Sequence, residues 1–240
     1  MGLIFVDKKV FYDSFGRKVI VDCSGSPLGS GIYGSVYRSG DKVIKVLKTP
    51  DSYLQRRTLS TIKRLDLKNF YKIYEILSTN RFGLKNLAGY TSKYYESSVC
   101  DDLMTLPSEY LIESVRGLNE SGKRLAQNEI MIADLFHKNV IISDSGLIVI
   151  DADLYTKCSG VRVSDAEFAN NIVLKELYFD LLWRAYSKYH SSSFSDEELA
   201  NVRRILYELV DRGNVNNLTS VEKRLEKCKY PIEYVHKKMR

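Results

Sequence analysis

The chain has 240 residues, 44% of them hydrophobic and 28% charged, with only four prolines, which excludes an intrinsically disordered polymer. No run approaches the roughly eighteen consecutive apolar residues that a spanning helix needs, and Met1–Val6 is too short and wrongly flanked for a secretory signal. Thirty-six Lys and Arg against thirty Asp and Glu leave a net charge of +6, which suits an anionic partner and leaves nucleic acid, membrane surface and nucleotide all open. Cys23, Cys100, Cys158 and Cys228 are scattered, so neither a zinc ligand set nor a disulfide framework is expected, and a reducing, cytoplasmic setting is.

The first third alternates β-branched runs with turn residues. Lys18–Asp22, Ser35–Arg38 and Lys42–Leu47 read as strands of an antiparallel meander, the last two joined by the turn Ser39-Gly40-Asp41. After Pro50 the period becomes helical, with Leu54, Leu59, Ile62 and Leu65 on one stripe. Phe70–Leu77 and Phe82–Thr91 return to strand character, and Tyr94–Asp102 reads as a polar linker. Beyond it Leu111, Val115, Leu118 and Leu125 mark a helix. The runs Asn139–Ile142 and Leu147–Ile150 flank a Ser143–Gly146 turn as a hairpin. Capping boxes are expected at Ser164 with Glu167, Ser195 with Glu198 and Thr219 with Glu222, each opening a helix. The resulting plan is α+β: an antiparallel β-sheet lobe with one helix over residues 1–93, then a mostly helical lobe over residues 94–240.

Gly29-Ser30-Gly31-Ile32-Tyr33-Gly34-Ser35-Val36 fits G-x-G-x-x-G-x-V at every fixed position. Glycines let backbone amides approach phosphate oxygens because no Cβ intervenes, although a glycine cluster alone can be a plain turn. In a dinucleotide fold these glycines would open a helix, whereas here they open a strand, and the G-x-x-x-x-G-K-[ST] loop is absent. The next strand, Lys42-Val43-Ile44-Lys45-Val46, puts Val43 and Lys45 on one face by its period of two. The plain reading of Lys45 is a surface strand lysine; Lys48 falls on the opposite face and reads as solvated. Further on, Asp134 and Asn139 stand five apart just before the hairpin, which ends at Asp151-Ala152-Asp153.

With this order of motifs the chain resembles the protein-kinase-like superfamily over about residues 19 to 185. The resemblance implies a two-lobed fold in which Gly29, Ser30, Gly31, Gly34, Val36, Val43 and Lys45 hold ATP. It implies that Asp134 orients and deprotonates an acceptor hydroxyl, while Asn139 and Asp151 hold Mg²⁺, or Mn²⁺ in its place. Asp153 is either a further ligand or a plain loop acid. Asp180 resembles the aspartate that braces the catalytic loop, beside the plain reading of a helix-surface acid.

The departures from the pattern are specific. Thr58 falls where the family's helix glutamate pairs with the strand lysine, leaving Gln55 as a neutral substitute. The H-R-D histidine is Ile132, the lysine two after the aspartate is Phe136, and D-F-G becomes Asp151-Ala152-Asp153. His137 and Lys138 read as a basic, solvated loop. Little more than ten residues separate Asp153 from Ser164, with no A-P-E sequence. The expected activity is therefore that of a minimal, atypical Ser/Thr protein kinase, as in small bacterial or effector kinases, whose setting would then be a host cytosol. The alternatives are a small-molecule kinase of the aminoglycoside and choline kinase branch, a pseudokinase binding or scaffolding module, and an AMP transferase. Tyr90, Tyr94 and Tyr95 bracket the expected hinge, with packing the plainer role. The basic stretch Lys223–Arg240 is read as a solvated face or as a surface for an acidic partner.

Overall fold

The structure is a computed structural model that describes residues 8–51, 53–81, 86–96, 103–152, 155–190, 195–210 and 219–240. The expected Asp153 and Cys100, and the start of the Phe82–Thr91 run, lie outside these residues. The fold is mixed α+β, with antiparallel sheets and six helices among the described residues. The described residues form two compact units, one running to Asp66 and resuming over Tyr71–Tyr95, the other made of Leu67–Phe70 and the chain from Glu96.

The first unit opens with the hairpin β1 (Lys8–Tyr12) and β2 (Lys18–Asp22). Asp13 closes the turn by accepting from the backbone amides of Phe15 and Arg17 and from Arg17 Nε at 2.6 Å. Burial pushes its carboxyl up, but these donors outweigh that and hold it below the usual carboxylate value. The main sheet follows as β3 (Gly29–Ser30), β4 (Gly34–Ser39), β5 (Lys42–Asp51), β6 (Ile73–Leu77) and β7 (Leu87–Lys93), in the order β3-β4-β5-β7-β6. Ile44 and Val46 of β5 join Phe11, Val21, Leu77 and Ala88 in one apolar cluster. The alternate residues of β5 therefore leave Lys45 and Val43 on the other face.

Helix α1 (Tyr53–Leu65) buries Leu59 and Ile62, as its apolar stripe requires, together with Arg56, Thr58 and Thr61. Arg56 is kept in this apolar setting by donating Nη1 to Ser78 Oγ at 2.7 Å and to the Asn86 carbonyl at 3.3 Å. Burial still pulls its guanidinium below the ordinary value.

The second unit is built on α2 (Ser108–Gln127) and α3 (Val163–His190), with α4 (Asp196–Leu209), α5 (Thr219–Leu225) and α6 (Pro231–Met239) following. Between α2 and α3 lie β8 (Ile130–Met131), the hairpin β9 (Val140–Ser143) and β10 (Gly146–Val149), and β11 (Thr156–Lys157), which pairs back onto β8. Leu67–Phe70, which the sequence reading places in the first lobe, belongs here. Asn69 takes a left-handed φ of 59°, donates Nδ2 to the Leu147 carbonyl at 2.8 Å and accepts from Val149 N at 2.8 Å. Gly117 of α2 has no Cβ because one would lie 1.8 Å from Asn69 Oδ1.

One expected capping box is absent. Helix α3 already begins at Val163, so Ser164 is helical and its hydroxyl turns to Asp165. Glu222 accepts from Arg116 Nε at 2.7 Å, and the expected cap at Thr219 lies outside the residues whose side chains are described. The Ser195–Glu198 box forms with both reciprocal bonds. No helix among the described residues is long and apolar enough to cross a membrane.

Candidate functional site

The glycine segment and the strand lysine belong to the first unit. Gly29 and Ser30 lie on β3, Gly31 in the turn, and Gly34 and Val36 on β4; Gly31 N donates to the Gly34 carbonyl at 2.9 Å, which tightens the turn. The glycines differ in what requires them. A Cβ at Gly34 would sit 2.6 Å from the Val46 carbonyl oxygen, so this glycine permits the β4–β5 approach. A Cβ at Gly29 or Gly31 would meet nothing within 4 Å, so packing does not demand glycine there, and the backbone at both is exposed.

This separation yields a prediction. Gly34→Ala is expected to destabilise the protein by about 1–3 kcal/mol through overpacking, and Gly31→Ala by less than about 0.5 kcal/mol, in urea titrations. Equal effects of the two would refute the distinction.

Register places Val36, Lys45, Tyr90 and Ile76 in one row across β4, β5, β7 and β6, and paired residues share a face. Val43 is two residues along β5 on that face. Lys45 is only 9% exposed, unlike a surface strand lysine. Gly89 lets β7 close on it, since a Cβ there would lie 2.1 Å from the Lys45 carbonyl oxygen. Tyr90, one of the tyrosines expected to bracket the hinge, is the cross-strand neighbour of Lys45. Its ring lies 5.6 Å from that of Tyr71, while Arg38 sits 4.0 Å above the ring of Tyr94.

Lys48 is exposed, as expected, but its Nζ donates to the Gly31 carbonyl at 2.7 Å and so pins the glycine turn. On α1, Thr58 is buried and Gln55 half-buried, and the helix carries no acid.

In the second unit the candidate residues lie on the loop from β8 to β9 and at the end of β10. Asp134 is exposed and takes a left-handed φ of 54°, a conformation that aspartate tolerates better than most side chains. Asn139 Nδ2 donates to the Asp134 carbonyl at 2.6 Å, and the Asn139 carbonyl accepts from Ile150 N at 2.9 Å. These bonds bring Asp134, Asn139 and the residue before Asp151 together. Because the amide nitrogen of Asn139 is committed to Asp134, its Oδ1 is the atom left for another partner. Asp151 is half-buried, Ala152 is buried, and Tyr155 is fully buried with its ring edge-on to Phe70 at 6.1 Å. Burial, and then the Asp151 charge, push the Tyr155 phenol well above its ordinary value.

Two residues of α3 hold this loop. Asn170, wholly buried, accepts from Ile132 N at 2.7 Å and donates Nδ2 to the carbonyls of Gly122 and Ile130 at 3.0 and 3.1 Å. It was not singled out in the sequence, yet it stands four residues after Ala166 and four before Leu174 on an otherwise apolar stripe. Asp180 accepts from His137 Nδ1 at 2.6 Å and from His137 N at 3.3 Å, while Arg184 Nε reaches its other oxygen at 3.0 Å. It is thus a loop brace, and His137 is not the solvated base the sequence reading expects. Burial raises the Asp180 carboxyl, but the His137 ring and backbone bonds, and then Arg184, outweigh it and leave a net depression.

The sign of that depression sets a pH prediction. A carboxylate lowered on folding contributes stability above its unfolded value, and the contribution disappears as pH falls through the folded value. Asp180→Asn is therefore expected to lower the melting temperature at neutral pH, and to melt with wild type once the pH drops below the carboxylate range. A melting difference unchanged across that range would contradict it.

The donor set fits a hard cation. Mg²⁺ takes oxygen ligands, usually one or two carboxylates with substrate phosphates and water, and the Asp151 carboxylate and the Asn139 amide oxygen are oxygens of that chemical kind on stretches of chain joined by the Ile150 N to Asn139 carbonyl bond. No cluster of three or more His, Cys, Asp or Glu gathers among the described residues, so a closed all-protein metal cage is not formed there. In the C-terminal stretch Lys223, Lys227, Lys229, Lys237 and Arg240 are exposed, whereas Arg224 donates to the Glu208 and Leu209 carbonyls and Lys238 pairs with Glu208 at 3.8 Å. No model of a known protein family matches the chain, and a search of curated proteins gives no match.

Proposed function

We propose that the protein is an ATP-dependent phosphotransferase with a two-lobed, protein-kinase-like plan, acting as a minimal, atypical Ser/Thr protein kinase. The observation that carries this reading is the braced loop, in which Asn139 closes onto Asp134 and α3 holds both ends through Asn170 and Asp180. An exposed aspartate in a left-handed conformation, fixed from behind, is a costly arrangement that suits a group presented to a hydroxyl.

In this mechanism the amides of the Gly29–Gly34 segment and the ammonium of Lys45 hold the phosphates, with Val36 and Val43 against the base. The Asn139 amide oxygen and the Asp151 carboxylate would hold Mg²⁺, which would supply neutralisation of charge on the transferring phosphoryl group. Asp134 accepts the hydrogen bond of the acceptor hydroxyl, aligns its oxygen in line with the γ-phosphorus, and takes its proton as the new bond to phosphorus forms and the bond from that phosphorus to the β,γ-bridging oxygen breaks, the electron pair leaving with ADP.

A protein acceptor is favoured over a small cationic one. Nine residues separate Asp153 from the start of α3, and the C-terminal stretch is basic, so neither supplies the acidic surface that a cationic substrate needs. A second reading, a nucleotide-binding module without transfer, is supported by α1, where Thr58 and Gln55 offer Lys45 no carboxylate.

The deciding experiment incubates purified protein with Mg·ATP and a cell lysate, with label on the γ or the α phosphate. Label on protein from γ-labelled ATP alone supports the kinase. Label from α-labelled ATP indicates nucleotidyl transfer, label in small molecules indicates the small-molecule kinase, and binding without transfer indicates the module.

A further inference from the structure

We propose that His137 is a positioning residue, whose imidazole ties the loop to Asp180 so that the Asp134 carboxylate and the Asn139 amide oxygen keep one fixed geometry. The catalytic consequence rests on the phosphotransferase reading; the tether itself rests on geometry alone.

Asp180 Oδ2 receives two donors from the same residue. The backbone amide of His137 reaches it at 3.3 Å, beyond the usual 2.7–3.2 Å range for an N–H···O bond, whereas the ring Nδ1 lies at 2.6 Å, the length of a charge-assisted bond. The side chain, more than the backbone, therefore carries the attachment. The other carboxylate oxygen takes Arg184 Nε at 3.0 Å, so Asp180 is fixed from its own helix as well. An ionised carboxylate is an acceptor only, so Nδ1 must carry the hydrogen and donate it.

The position of His137 makes this tether effective. It opens the 3-10 turn His137–Asn139, and its carbonyl accepts from Val140 N at the start of β9. The preceding carbonyl, Phe136 O, accepts from Asn139 N at 2.8 Å. Fixing His137 thus fixes the turn that carries Asn139, and through the Asn139 Nδ2 bond it fixes the backbone of Asp134. The ring is half-buried, packed at 5.9 Å from the ring of Phe136, so the bond is partly shielded from water.

The test compares His137→Ala, which removes the donor, with His137→Asn, whose amide nitrogen stands at the same distance from Cα as Nδ1. Amide hydrogen exchange over 132–139, without nucleotide, is the readout independent of activity, with the amides of α2 as the internal control. His137→Ala is expected to speed exchange in that loop by about tenfold or more, the effect of losing one charge-assisted hydrogen bond, and to leave α2 unchanged. Turnover is expected to fall by a similar factor with KM for ATP within about twofold, and His137→Asn is expected to restore both.

Exchange in His137→Ala equal to wild type, exchange accelerated throughout α2 as well, or a His137→Asn variant as impaired as alanine would each overturn the proposal. A wild-type protein that transfers no phosphate, while the alanine variant loosens the loop and asparagine restores it, would support the tether and sink the phosphotransferase reading instead.

Discussion

Asp134→Asn is expected to lower phosphoryl transfer by about a hundredfold to ten-thousandfold while leaving Mg·ATP affinity within about threefold of wild type. Asparagine is chosen over alanine because the residue sits at a φ of 54°, where asparagine is as comfortable as aspartate and alanine is not. The Asp134 carbonyl keeps its bond from Asn139 Nδ2 in this variant, so the loop retains its shape and only the proton acceptor is lost. Single-turnover transfer from γ-labelled ATP, with parallel binding isotherms, separates the two quantities. Transfer retained at the wild-type rate would remove Asp134 from the chemistry; transfer and affinity lost together would mean that the loop had collapsed.

The parts of this site that are legible in the sequence are those with a local signature. The glycine spacing, the alternation that puts Val43 and Lys45 on one face, and the hairpin from Val140 to Val149 follow from period and turn residues, and each has its place in the structure. The supports are less visible because their reason is tertiary. A serine followed three residues later by glutamate looks alike at 164 and 195, but a cap must be non-helical, and at 164 the helix has already begun at Val163. Asn170 shows only as one polar residue on an apolar stripe, and what it satisfies, the Ile132 amide and two carbonyls, lies about forty residues away in the chain. The left-handed turn at Asn69 that gives Leu67–Phe70 to the second unit leaves no periodic trace. His137 passes for a loop base until Asp180 is seen beside it. Motifs report chemistry at a few positions, whereas the shell that holds them is written in single buried polar residues.

The largest effect on binding is expected at Asp151. Its backbone is set by the ladder that ends β10, where Val149 N donates to the Asn69 carbonyl and Ile150 N to that of Asn139, and the chain then enters the buried Ala152. The backbone at Asp151 is thus held by its neighbours' main-chain bonds, and Asp151→Asn changes the charge at nearly constant side-chain shape. Loss of partners outside the first coordination sphere commonly weakens a metal site about 10–100-fold, so loss of the ligand charge is expected to weaken Mg²⁺-dependent ATP binding by more than about a hundredfold. Binding measured in EDTA isolates this effect, because the cation then makes no contribution and the variant should match wild type. Lys45→Met supplies the contrast, since an ammonium that holds phosphate directly is expected to matter with and without Mg²⁺. Asp151→Asn retaining the full magnesium enhancement of ATP affinity would exclude Asp151 as the metal ligand, and Lys45→Met matching wild type in EDTA would exclude Lys45 as the phosphate anchor.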